Sequence, residues 1–320
     1  MTESAAGAPD HMGHHATRRG NLLGLVAILM WASWAPLMVA GGAMPPFLLL
    51  AIAFTSAAAV MLLRGFILRR GFDFLRTPLL TLILGFGGLW GSNAMFLLAI
   101  EAGAAPVPVT IVAHTWPVWM ALIVLIAGVA RGTIWDLFAF GLGFAGVLTV
   151  ATRDGSFEFH VGLGVALFGA VLWATYSGMR TRVPAGPPDA MTAFAISSAV
   201  VSWTLHFMLG EPSSVAPFDL LIAIAVGALP MGLANSLWDI AVRHGDPVRI
   251  ASMSFIEPVC ATGFVLLILS QTPRPMDVLG LALVLAGLAF GTISERVRRN
   301  RGAGGRPLVI KPPTGPTPGD

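Results

Sequence analysis

Charge is scarce in this chain. Only 11% of its 320 residues are Asp, Glu, Lys or Arg, while 56% are hydrophobic. A soluble domain carries about 25% charged residues, so a water-facing globular surface is excluded. Cysteine is nearly absent. Cys260 stands alone, which rules out a disulfide within the chain and a cysteine-based metal site. Lysine and tyrosine also occur once each, as Lys311 and Tyr176. Basic patches interleaved with stacking aromatics, the mark of a nucleic-acid surface, are missing. So are HExxH, GxSxG and any run of His and carboxylates within an apolar segment. A membrane-embedded enzyme would need such a nucleophile, base or metal. No cofactor is expected. The histidines of "HMGHH" (His11, His14, His15) fall in a polar stretch read as a disordered tail over residues 1–19.

What the chain has in excess is apolar length. Ten hydrophobic segments run about 21–40, 45–66, 78–100, 105–129, 134–151, 161–180, 190–209, 218–241, 247–269 and 277–294. A crossing helix needs roughly 20 apolar residues, and in lipid only helices or closed barrels satisfy the backbone. No alternating ten-residue pattern suggests a barrel. The first run holds Trp31, Trp34 and Pro36 and is followed by further spans, unlike a cleavable signal. With the N-terminus inside, all basic residues but Arg153 and Arg274 fall on the cytoplasmic side. That bias orients the chain and fits ten spans with both termini cytoplasmic.

"WASW" (Trp31–Trp34) returns as "WATY" (Trp173–Tyr176), a shift of 142 residues. The same shift takes Asn93 to Asn235 and Gly103 to Gly245. A shift of 141 then takes Pro117 to Pro258, Asp136 to Asp277 and Gly146 to Gly287. Five spans per half is an odd number, so the second half enters from the opposite side. An inverted repeat of this kind is a transporter architecture, with the site near mid-membrane between the halves. The expected division is a tail over 1–19, a first repeat over 20–152, a second over 153–295 and a basic, Pro/Gly-rich cytoplasmic tail over 296–320.

These motifs resemble a known family. "GLVAILMWASW" with "ALFGAVLWATY", and "HTWPVW" with "FIEPVC", look like the EamA type of the drug/metabolite transporter superfamily. "TWP" together with "LANSLWDIAVRHGDPVRIASMSFIEPV" is most similar to its bacterial aromatic amino acid exporter branch. The resemblance implies an all-α membrane fold of ten helices in a 5+5 inverted repeat, in the bacterial inner membrane. It implies a secondary transporter that exports small amphipathic metabolites by alternating access, with aromatic amino acids favoured. Drugs or other metabolites on the same fold are the alternative. Nucleotide sugars and sugar phosphates call for basic residues in the cavity, and nearly all arginines here lie in loops and tails. A scaffold or sensor is the remaining class.

Polar and aromatic residues inside the spans are the candidate site. Trp usually sits at the membrane interface, yet Trp31, Trp90, Trp116 and Trp173 fall about halfway along their segments. Trp31 and Trp173 are repeat-equivalent and are expected to face one central cavity, extended by Trp116 and Trp238. Aromatic pairs add about 0.5–1.5 kcal/mol beyond burial, and an ammonium over a Trp face about 0.5–2 kcal/mol. Tyr176 either lines the cavity or anchors at the interface. Asn93 and Asn235 either bind substrate or bond a neighbouring helix. His114, three residues before the helix-weakening Pro117, is a cavity candidate. Glu257, some ten residues into the ninth segment, would pair with a substrate ammonium, carry a proton, or stay protonated on a carbonyl freed by Pro258. A buried carboxylate in a membrane is by default a functional hypothesis. Asp239, near Arg243 and His244, is expected to serve a cytoplasmic gate or ion pair rather than to contact substrate. The small faces of "GGLWG" (Gly87, Gly91), "GLGFAG" (Gly141–Gly146) and "GLAFG" (Gly287, Gly291) allow close helix approach. They either join the halves of a monomer or form a homodimer.

Overall fold

The computed structural model describes residues 11–128, 133–152, 160–244, 253 and 256–302. Every regular element among them is helical. The helices are α1 (His11–Ala32), α2 (Trp34–Ala40), α3 (Pro46–Ile67), α4 (Leu79–Glu101), α5 (Pro106–Ala113), α6 (Trp116–Ile126) and α7 (Ile134–Ala151). They continue as α8 (Val161–Met179), α9 (Ala190–Met208), α10 (Pro217–Val226), a wide π turn (Gly227–Leu233), α11 (Ala234–His244), α12 (Ile256–Ile268) and α13 (Pro275–Gly302).

Proline punctuates this series. Pro46, Pro106, Pro217 and Pro275 each open a helix. The first turn has no intrahelical partner for its N–H groups, so a missing one costs nothing there. Inside a rod the effect is opposite. Pro36 withholds the donor that the Ala32 carbonyl needs, and the chain tightens at Ser33, whose N–H reaches Met30 O at 3.1 Å. Pro117 does the same to Ala113, and a turn at His114–Thr115 separates α5 from α6. Pro230 lies within the π turn.

Among the described residues, eight helical runs are long and apolar enough to cross a membrane, from Arg18–Ala40 to Pro275–Arg298. The expected fourth segment is divided at His114–Thr115 into two pieces, each too short alone. The expected ninth contributes α12, apolar over 13 residues. α1 begins at His11, inside the stretch read as a tail. α13 runs on to Gly302, past the expected start of the second tail at 296. Residues 1–10 and 303–320 lie outside the described residues.

Side-by-side packing follows a pattern. α1 packs along α11, α3 along α9, α4 along α8, and α7 along α13. α6 packs on α8, and α1 on α12. Phe54, Phe96, Phe194, Leu49, Leu50 and Ile111 are among the fully buried side chains of α3, α4, α5 and α9. Glycine sets the approach of α4 to its neighbours. A Cβ on Gly85 would strike the Phe194 ring, on Gly88 the Tyr176 side chain, and on Gly91 the Leu172 side chain. Gly87 faces open space. The contact face is therefore Gly85–Gly88–Gly91 rather than the Gly87–Gly91 spacing expected from sequence. It joins a helix before residue 152 to helices after it. In the α7–α13 seam, Gly146 meets Val284 and Gly280, and Gly287 meets Ala139 and Gly143.

Polar ties fasten helix ends. Asp189, buried at the start of α9, receives Arg70 at 2.7 Å, with Arg64 at 3.7 Å. Asp136 in the first turn of α7 accepts the Thr133 N–H at 2.7 Å and Arg298 Nη1 at 2.9 and 3.0 Å. Arg182 donates to the carbonyls of Ala127 and Gly128, just past α6. Glu211, beyond α9, accepts the N–H groups of Phe47 and Leu48 at the start of α3. His206 Nδ1 donates to the same carboxylate at 2.9 Å, and His206 Nε2 lies 3.1 Å from Ser213 Oγ.

Candidate functional site

The proline joint between α5 and α6 carries the first functional side chain. His114 is buried, and its Nδ1–H donates to the Thr110 carbonyl at 2.8 Å. A carbonyl only accepts, so that bond fixes the tautomer and turns Nε2 outward. Nε2 faces Glu257 Oε1 of α12 at 3.7 Å. This is beyond hydrogen-bond range but within reach of a small adjustment. The two residues can share one proton across two helices. Glu257 is partly open, with 18% of its side chain exposed.

Two aromatic groups include rings on helices that pack against those of this pair, α1 on α12 and α8 on α5. Trp31 of α1 lies against Trp238 of α11, with ring centroids 4.8 Å apart. Trp173 of α8 meets Trp116 of α6 edge-on at 6.4 Å and continues to Tyr176 at 5.3 Å. Trp31, Trp116, Trp173 and Trp238 are all half-buried. Among the described residues no ring contact joins Trp31 to Trp173. Each instead pairs with a Trp from another helix. Tyr176 is buried against Phe194, edge-on at 5.8 Å, and its hydroxyl donates to Met191 Sδ at 3.5 Å. Tyr176 is thus 5% exposed in this structure.

The two asparagines differ. Asn93 is buried, donates Nδ2–H to Leu89 O at 2.7 Å, and accepts Trp34 Nε1–H at 2.7 Å. Both ends of its amide are engaged by protein, so it joins helices in this conformation. Asn235 is half-buried and donates Nδ2–H to Met231 O at 2.7 Å. The side chain of Asp239 lies outside the described residues.

Sequence reasoning missed Trp34 as a hydrogen-bonding residue. It also missed the ties made by other indoles, Trp90 to Ser202 at 3.0 Å and Trp203 to Thr55 at 3.1 Å. A tryptophan close to a Ser, Thr or Asn on another helix leaves no local pattern. The clue available was that an indole N–H seeks a partner when buried.

Comparison with known proteins places this geometry. Residues 160–293 match the EamA-like transporter family. The chain is 32% identical over 287 residues to the aromatic amino acid exporter YddG of Ancylobacter novellus, covering 86% of this chain and 97% of that protein. It is 25% identical to the aromatic amino acid exporter YddG of Escherichia coli K12, covering 79% and 89%. It is 27% identical to the threonine/homoserine exporter RhtA of Escherichia coli K12, covering 69% and 72%. A solved structure titled "Crystal structure of protein" superposes with a TM-score of 0.67 at 30% identity, covering 87% of this chain and 97% of that one. The chain is a multi-pass membrane transporter that belongs to the EamA-like transporter family, on the branch that holds the YddG exporters.

Proposed function

We propose that this chain exports aromatic amino acids across the bacterial inner membrane, by alternating access between two inverted five-helix halves. The observation that carries the reading is the set of half-buried rings, Trp31–Trp238 and Trp173–Trp116, with Trp31 and Trp173 on helices that pack against those of the His114–Glu257 pair. Indole faces suit a substrate ring and an ammonium. Glu257 supplies a carboxylate for the same ammonium or for a proton carried the other way. The YddG relatives are aromatic amino acid exporters by name, which favours the same cargo.

The ten-helix count treats α1/α2, α5/α6 and α10–α11 as single broken rods. The halves are residues 20–152 and 153–295. Packing supports their equivalence. Under the shift, α1 maps on α8, α4 on α11, and α5/α6 on α12. The pair α4–α8 then becomes α11–α1, and α6–α8 becomes α12–α1; both images are also packed pairs. The arginine distribution favours cytoplasmic termini. The ties of Arg70, Arg182 and Arg298 would then hold the cytoplasmic ends of their helices.

Proteoliposome flux with labelled Phe, Trp, Leu and a sugar nucleotide tests the proposal. Saturable flux of Phe and Trp is expected. Flux of another class with none of Phe or Trp would overturn the aromatic assignment. Trp31→Ala and Trp173→Ala are each expected to reduce flux at least several-fold; wild-type rates in both would make these residues packing alone.

A further inference from the structure

The repeat equivalence makes one asymmetry stand out. A shift of 142 takes Trp34 to Tyr176, Leu89 to Met231, Asn93 to Asn235 and Phe96 to Trp238. One feature survives in both halves. Asn93 and Asn235 each donate Nδ2–H to the carbonyl four residues earlier, at 2.7 Å in both cases. That bond orients the two amides alike on their helices and leaves Oδ1 to accept from a neighbour.

In the first half the neighbour is there. Trp34 Nε1–H donates to Asn93 Oδ1 at 2.7 Å, and the Trp34 ring rests on Phe96 at 4.6 Å. In the second half neither equivalent contact is made. The Tyr176 hydroxyl goes to Met191 Sδ at 3.5 Å, a weak acceptor. Trp238 turns to Trp31. Asn235 Oδ1 accepts no donor among the described residues. The chemistry for the bond is nevertheless intact, because Tyr176 keeps an O–H donor and Asn235 the same acceptor.

The position of each pair gives the asymmetry a meaning. Trp34 lies near the end of the first span at which α4 finishes, and Asn93 lies in the second half of α4. Tyr176 and Asn235 occupy the corresponding places toward the opposite end. In an inverted repeat the halves exchange roles when the path changes the end to which it opens. A contact made in one half and unmade in the other is therefore one that exchanges.

We propose that Trp34–Asn93 and Tyr176–Asn235 are alternative closures, one for each end of the transport path, and that this structure holds the first made and the second open. This rests on the inverted-repeat reading of the proposed function. Under the cytoplasmic placement of the termini, the closed end is the outer one and substrate enters from inside. An interhelical hydrogen bond in a membrane is modest, so each closure biases the two-state ratio by about three-fold, up to about fifteen-fold. That is enough to tilt the equilibrium without trapping either state.

The test uses the full chain in proteoliposomes, with Cys260→Ser removing the single native thiol. In this parent, the pair Tyr176→Cys with Asn235→Cys reports closure of the second end through its cross-linking rate with a short thiol-specific reagent. Adding Trp34→Phe, which keeps the ring and removes the donor, is expected to raise that rate about three-fold. Asn93→Leu, as an independent variant, is expected to raise it likewise. An unchanged or slower rate in both would overturn the proposal, as would a second pair that never cross-links while Trp34→Cys with Asn93→Cys does. Phe flux of the Cys260→Ser parent separates the two readings. A parent without Phe flux whose cross-linking still responds refutes the cargo and leaves the closures standing. A parent with flux whose cross-linking does not respond refutes the closures alone.

Discussion

The Asp136–Arg298 tie allows a quantitative test of how α7 and α13 are held together. Asp136 is 3% exposed and receives four contacts, the Thr133 N–H and hydroxyl and two from Arg298 Nη1. Breaking a buried ion pair by removing one partner costs about 3–5 kcal/mol, whereas an exposed pair contributes about 0.2–1 kcal/mol. Arg298 is 26% exposed, so water takes up part of the loss. The Thr133 donors also remain after Arg298 is gone. Arg298→Met is therefore expected to cost about 2 kcal/mol, between those limits. Asp136→Asn is expected to cost a similar amount, since it keeps an oxygen for the helix cap but sets an amide against the guanidinium. The double variant leaves a capped, uncharged helix start and should lose less than the sum of the two, by at least about 1 kcal/mol. Unfolding in mixed micelles, followed by tryptophan fluorescence, measures all four corners of the cycle. Additivity within about 0.5 kcal/mol would refute the reasoning, because residues in one network couple by more than that.

Further expectations concern packing and coupling. Gly88→Val should destabilise the protein by about 1–3 kcal/mol through overpacking against Tyr176, while Gly87→Val, in open space, should be nearly neutral; thermal unfolding in detergent distinguishes them. Glu257→Gln should remove any dependence of Phe flux on an imposed pH gradient, and His114→Gln should weaken it; an unchanged gradient response in Glu257→Gln would eliminate it as the proton carrier.

Much of the fold was legible because its causes are local. Apolar length and proline position mark helix starts, and Pro46, Pro106 and Pro217 all begin helices near the expected places. Pro117 was read as a weak point, and the rod divides there. The pairing of His114 with Glu257 was not legible, although both were singled out, because it joins residues on two helices far apart in sequence. Gly87 and Gly88 show the same limit at finer grain. Either spacing gives a small face, and only the location of Tyr176 decides which face is used. Nothing in the sequence singles out Glu211. Its role depends on the start of α3 lying beside it, which no pattern within "GEPSSV" encodes.

The π turn at Gly227–Leu233 bears on how the two halves can differ while sharing one sequence pattern. Under the proposed equivalence its counterpart is Gly85–Gly91, which winds as ordinary α-helix within α4. Equal numbers of residues are thus coiled at two different pitches. A wider turn advances each residue through a smaller angle, so everything beyond it is rotated in phase. Asn235 and Trp238 lie just past that point, and they present a different azimuth from Asn93 and Phe96. Under that equivalence the two halves differ here by a twist about a helix axis, set by coil pitch within a single helix.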